Sequence, residues 1–250
     1  MKPISILAVI LTLLAACSSK TQDSPHWTYE GEEGPEHWDD LDPSYAICGT
    51  GIHQSPIEIS STNEKDLPNI VFHYESSQVN IFNNGHTVQV NYDVGSYIEL
   101  DDVRYDLLQF HYHTPSEHMI NGKSFPAEIH LVHENMAKEL AVVGVLLQEG
   151  TKNSAFEPFI NNLPAEKSDV KDAGVKINAN DFLPSIQTTF RYNGSLTTPP
   201  CSEGVSWLLM TTPVELSSEQ LSELESIFEE GNNRPVQPLN NRSLEEDSTP

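Results

Sequence analysis

Apolar and polar residues alternate along much of the chain in short runs, separated by Asn, Asp, Gly and Pro, which is the period-two pattern of strands with one buried face. It is clearest at residues 104–113 and 125–133. In the first run Phe110 and Tyr112 fall on one face while Gln109, His111 and His113 share the other. Glu128, His130 and Val132 repeat that polar face in the second. Further strands are predicted at 97–100, 140–148 and 205–211. Residues 81–90 read as a hairpin whose Asn84-Gly85 supplies a positive-φ pair for the turn. Short turns make most neighbours antiparallel. Helical periodicity is sparse. Ser217 and Gln220 form a capping-box pattern ahead of Leu221, Leu224, Ile227 and Phe228, with Gly231 ending the run, and a short helix is expected at 156–162. The predicted class is mainly β (α+β).

With 250 residues and no internal repeat, one domain is expected. Residues 1–16 carry Lys2 and then an apolar run that is too short to span a bilayer but fits a secretory signal. The junction Leu14-Ala15-Ala16-Cys17-Ser18 resembles a bacterial lipoprotein cleavage box in which Cys17 becomes the lipidated first residue. Plain cleavage releasing a soluble periplasmic protein is the alternative. Residues 17–25 then form a polar tether, 26–242 the domain and 243–250 an acidic tail expected to be disordered. The expected location is the periplasmic face of the cell envelope, as an outer-membrane lipoprotein. A net charge of −24, from 37 acidic and 13 basic residues, disfavours nucleic acid and anionic lipid surfaces as partners. Membrane contact is therefore expected only through the N-terminal lipid. The chain has 3 cysteines, and lipidation of Cys17 removes the odd one, leaving Cys48 and Cys201 to pair. Oligomeric state leaves no mark in the sequence.

If the strands at 104–113 and 125–133 pair, His111, His113 and His130 converge. Three neutral imidazoles with an open fourth position make a catalytic zinc site, whereas a solvated polar face is the plain alternative. Gln109 and Glu128 each precede a ligand by two positions on its own face, where they can accept the ring N–H. Gln109-Phe110-His111-Tyr112-His113, Ser116-Glu117-His118, Glu128-Ile129-His130-Leu131-Val132-His133 and Ser195-Leu196-Thr197-Thr198-Pro199-Pro200 closely resemble the alpha-class carbonic anhydrases. The landmarks stand in family order over residues 26–238.

The resemblance implies a large twisted, mostly antiparallel sheet with short peripheral helices and the metal in a central cone. It implies one Zn2+ per chain and reversible hydration of carbon dioxide to bicarbonate and a proton by zinc-bound hydroxide. Thr197 would orient that hydroxide by giving its own proton to an ionised Glu117, and Thr198 would contact bicarbonate. Val132, Val142, Leu196, Val205 and Trp207 would supply an apolar wall for carbon dioxide. His86 matches the family's proton shuttle, with Asn84 and Gln89 ordering the relay waters. Sulfonamides and anions are the implied inhibitors, and the peptide bonds before Pro56 and Pro200 the implied cis bonds. Trp27, Tyr29 and Trp38 belong to an N-terminal segment over the edge of the site and are expected to pack. His73, His118 and His133 have no catalytic claim, since His133 faces away by strand parity and the others look structural. A non-catalytic anhydrase-related binding module would lack a metal ligand. A zinc store would use more thiolate.

Overall fold

The computed structural model describes residues 25–247, so the expected signal peptide, Cys17 and most of the tether lie outside the described residues. The two clearest alternating runs form neighbouring strands, Val103–His113 and Ala127–Glu134, paired antiparallel with His111 opposite His130 and His113 opposite Glu128. Their far face buries Phe110, Tyr112, Ile129 and Leu131 completely. Each such side chain stabilises the fold by about 1.5–3 kcal/mol, so the far face fixes the register. A bulge between Leu107 and Gln109 shifts the alternation: Leu107 is core and Leu108 is exposed, yet Phe110 is core again.

Around this pair the sheet extends to thirteen strands among the described residues. On one flank lie Leu140–Glu149, Glu203–Met210 and Thr189–Ser195; on the other lie Val88–Asn91, Ser76–Asn83 and Lys171–Asn178. Most neighbours are antiparallel, as expected. Leu140–Glu149 is parallel to both Glu203–Met210 and Val214–Leu216. Beyond the far face, Phe159 and Phe182 meet Phe110 edge-on, with ring centroids 5.2 and 5.0 Å away. The helix Ser218–Glu225, closed by the expected Ser217/Gln220 capping box, adds Leu224 to that core. No described helix is long and apolar enough to cross a membrane.

Three sequence expectations are corrected. The 81–90 hairpin has a four-residue connection in which Gly85 (φ 93°) adopts positive φ and Asn84 does not. Asn84 instead accepts the N–H groups of His86 and Thr87 with its side chain, each at 2.8 Å, doing by hydrogen bonding what a second positive φ would have done. The C-terminal helix stops at Glu225 rather than at Gly231, because the chain must turn to bring Asn232 against the carbonyl of Thr114 at 3.0 Å. Acidic residues 245–247 are not disordered. They form a strand between Thr189–Ser195 and Asn63–Lys65. There Glu245 meets Lys65, Glu246 accepts from Thr62 and Asp247 meets Arg191, so local partners offset the charge that composition averages away. The remaining tail residues 248–250 lie outside the described residues.

The bonds Ser55-Pro56 and Pro199-Pro200 are cis as expected, and so is Thr114-Pro115. Cys48 and Cys201 are joined by a disulfide.

Candidate active site

Strand parity and the direct pairing of His111 with His130 bring three imidazoles onto one patch of the sheet. Ring centroids of His111, His113 and His130 lie 4.7–5.2 Å apart, and one nitrogen from each falls within 4.8 Å of the other two. The second nitrogen of each ring is held. His111 Nδ1 donates to Gln109 Oε1 at 2.8 Å, His113 Nδ1 to the Asn232 carbonyl at 2.6 Å and His130 Nε2 to Glu128 Oε1 at 2.8 Å. Those bonds fix the tautomers and leave His111 Nε2, His113 Nε2 and His130 Nδ1 with lone pairs.

Burial keeps the three rings neutral: it pushes His113 down to about 4, His111 well below the ordinary imidazole range and His130 down despite the pull of Glu128. His113 Nε2 is buried without a hydrogen-bond partner. An orphaned, neutral nitrogen beside two others, with both described cysteines tied in a disulfide, fits Zn2+ with an open position.

Glu128 is wholly buried and saturated, which makes it a brace. Oε2 accepts from the backbone N–H of Glu117 and His118, and Oε1 meets His118 Nδ1 at 2.7 Å as well as His130. Burial opposes ionisation, yet the pull of His118 and His130 and the hydrogen bonds from both rings hold its carboxyl well below the usual range. The chain continues from His118 Nε2 to the Tyr192 hydroxyl at 2.7 Å and from there to Ser55 at 2.9 Å. His118 is thus structural, as expected. So is His133, whose Nε2 meets the Tyr74 hydroxyl on the opposite face.

Glu117 is also buried. Its Oε1 accepts the Arg234 N–H at 2.8 Å, and its Oε2 lies 3.5 Å from His113 Nε2 with no hydrogen-bond partner. Burial raises its pKa to about 7, against the opposing pull of His130 and of the hydrogen bond from the Arg234 N–H.

Above the imidazoles opens a cavity of about 250 Å³. Val132, Val142, Leu196 and Trp207 give it apolar lining, and Asn84, His86, Gln89, Thr197 and Thr198 give it polar lining. Val205, expected in the wall, does not line it: it is buried in the apolar cluster with Val142 and Trp207. Trp27 and Tyr29, expected only to pack, do line the cavity. Trp27 stacks on His86 at 3.7 Å and 11°. The segment carrying it is pinned by Trp38 Nε1, which donates to the carbonyls of Thr28 and Glu33. Half-buried under that stack, His86 is pushed down to about 4, chiefly by desolvation and then by Lys167 and His26. Asn232 and Arg234 left no mark in the sequence, because both reach the site through backbone groups.

A mainly β sheet with three imidazoles converging under a small, partly apolar cavity has the form of an enzyme site compatible with a metal centre. The family model described as eukaryotic-type carbonic anhydrase matches residues 33–248. A carbonic anhydrase of Pectobacterium carotovorum is 40% identical over 238 residues, covering 95% of this chain and 98% of the relative. The alpha-carbonic anhydrase of Thermovibrio ammonificans, solved with the inhibitor sulfanilamide, superposes with a TM-score of 0.87 at 42% identity, covering 89% of this chain and 99% of that one. A hyperthermostable carbonic anhydrase from an active hydrothermal vent chimney gives 0.85 at 49% identity, covering 88% and 99%. The chain belongs to the alpha, or eukaryotic-type, carbonic anhydrase family. It interconverts carbon dioxide and bicarbonate.

Proposed function

We propose that the enzyme holds one Zn2+ per chain through His111, His113 and His130, with Gln109 and Glu128 fixing two of the rings. The observation that carries this reading is the buried, partnerless His113 Nε2 beside the two other free imidazole nitrogens. When bound, zinc supplies the charge that lets water ionise near neutral pH. The chain's own residues do the rest. Thr197 donates a hydrogen bond from its hydroxyl to the ionised Glu117 carboxylate, so its oxygen is left as an acceptor that orients the nucleophile's lone pair towards carbon. Carbon dioxide carries no charge and is held by apolar contact with Val132, Val142, Leu196 and Trp207. Thr198 contacts bicarbonate through its hydroxyl. Metal analysis beside a stopped-flow hydration assay tests this: one zinc per chain and loss of hydration on chelation are expected, whereas full hydration by the metal-free protein would sink it. Sulfonamides and small anions are expected to inhibit, a reading supported by the sulfanilamide complex of the Thermovibrio relative.

His86 is assigned the export of the proton. A ring held at about 4 is neutral at pH 7 and a poor match for a relay that works best near the operating pH. Its environment therefore limits it. Replacing His86 by Ala should lower maximal turnover in weak buffer by about tenfold with little change in kcat/KM, and added imidazole should restore part of it. Replacing Trp27 by Ala removes the stacked ring and should bring the His86 pKa back towards 6.5, readable by NMR titration, and raise weak-buffer turnover. An unchanged maximal rate in His86→Ala would show that protons leave by another route.

The enzyme is also read as exported, with residues 1–16 as signal and Cys17 as the lipidated first residue at the periplasmic face of the outer membrane. The Cys48–Cys201 disulfide supports an oxidising compartment. Mass spectrometry of the mature N terminus separates an acylated Cys17 from a plainly cleaved end.

A further inference from the structure

Arg234 is 1% exposed, and the acceptors its guanidinium meets are neutral. Nη1 donates to Gln54 Oε1 and to the Ser55 carbonyl, and Nη2 to the Cys48 carbonyl, each at 2.8 Å. Nε has no partner, and the guanidinium lies 5.5 Å from the centre of the Trp38 ring. Neutral oxygens take its hydrogen bonds and only the Glu117 carboxylate offsets its charge, and a buried ion pair of this kind is weak support for a fold compared with well-packed apolar side chains. The backbone of the same residue points the other way. Its N–H donates to Glu117 Oε1 at 2.8 Å, which leaves Glu117 Oε2, buried without a hydrogen-bond partner, as the acceptor the Thr197 hydroxyl would use.

The residues gripped by the guanidinium are tied to the same catalytic loop from behind. Gln54 Nε2 donates to the Cys201 carbonyl at 3.1 Å, and Cys201 N–H donates to the Thr198 carbonyl at 2.8 Å. The circuit closes through the Cys48–Cys201 bond. A planar fork meets three acceptors spread across Cys48, Gln54 and Ser55, which an ammonium on a flexible stem cannot reproduce.

We infer that Arg234 is a positioning residue for hydration: its anchored guanidinium fixes the backbone N–H that holds the Glu117 carboxylate where Thr197 can donate to it. The inference rests on the reading that Glu117 orients Thr197. It differs from a packing role in one measurable way. A residue that acts through Glu117 has nothing left to do once Glu117 no longer performs its part.

The experiment is a double-mutant cycle on zinc-loaded, disulfide-intact enzyme, using Arg234→Met and Glu117→Gln singly and together. Zinc content by metal analysis should stay at one per chain in all variants. The kcat/KM of Arg234→Met should fall by roughly 10- to 100-fold, the range for lost supporting hydrogen bonds, and adding Arg234→Met to Glu117→Gln should cost no more than Glu117→Gln alone. Arg234→Lys should recover only part of the loss. Where Arg234→Met does not fold, Gln54→Ala runs the same cycle, because it loosens Nη1 and leaves the charge in place. Losses that multiply in the double variant, or normal kcat/KM in a folded single variant, overturn the role of Arg234 and leave that of Glu117 standing. Wild-type kcat/KM in Glu117→Gln overturns the Glu117 reading and this inference with it.

Discussion

Replacing His113 by Ala is expected to remove zinc and hydration activity together while the protein stays folded. His113 has both nitrogens committed: Nδ1 to the Asn232 carbonyl at 2.6 Å, and Nε2 to the point where the other imidazoles converge. Alanine supplies neither. Zinc binding by small protein sites is worth about 10–16 kcal/mol over three or four donors, so one imidazole carries roughly 4 kcal/mol, or about a thousandfold in affinity. Metal analysis after dialysis should find little zinc, and stopped-flow hydration should approach the buffer background. The fold should survive because the apolar contacts lie on the opposite face of the strand, at Phe110 and Tyr112. Full activity with a full zinc complement in the variant would refute the assignment of the centre.

The second large effect is thermal. The Cys48–Cys201 bond closes a loop of 153 positions, for which the chain-entropy model gives about 5 kcal/mol. Residual structure in the denatured chain reduces that, and half of it, about 2.5 kcal/mol, is the safer figure. At about 2–4 °C per kcal/mol for a domain of this size, reduction should lower Tm by roughly 5–10 °C. Activity at room temperature should persist, because a drop of roughly 5–10 °C leaves the melting point of a typical domain, about 45–65 °C, above room temperature. Cys201 is fully buried, so reduction needs local opening and should be done under mild denaturant before the melt is recorded. A melting point unchanged after complete reduction and alkylation would show that the loop gains nothing from its bond.

The alternation of side chains made the metal-ligand set legible in the chain, while the roles of His86, Glu117, Thr197 and the cavity wall came only with the family resemblance. His111, His113 and His130, with Gln109 and Glu128 behind two of them, follow from parity once two strands are paired, and the structure pairs them with His111 opposite His130. Parity also set His133 aside. It failed where function passes through the backbone. The Asn232 carbonyl that orients His113 and the Arg234 N–H that holds Glu117 lie more than a hundred positions away and have no side-chain signature. The case of Val205 is of another kind: the resemblance put it in the cavity wall, whereas here it packs with Val132, Val142 and Trp207 in the cluster behind the wall and is not among the cavity-lining residues. At 245–247 a count of charges concealed three specific partners.

The strand pair Val103–His113 and Ala127–Glu134 has one further consequence. A one-residue slip of either strand would turn its own core pair outward, Phe110 and Tyr112 or Ile129 and Leu131, and push its imidazoles into the oily side, so the apolar face sets the register. Small metallodomains of the finger type must wait for zinc in order to exist as folded objects. This chain is expected not to wait: the collapse that builds the core also sets the three imidazoles in place, so the metal-free protein should be a folded receptacle that takes up zinc afterwards, which a cooperative melt in the presence of chelator would check.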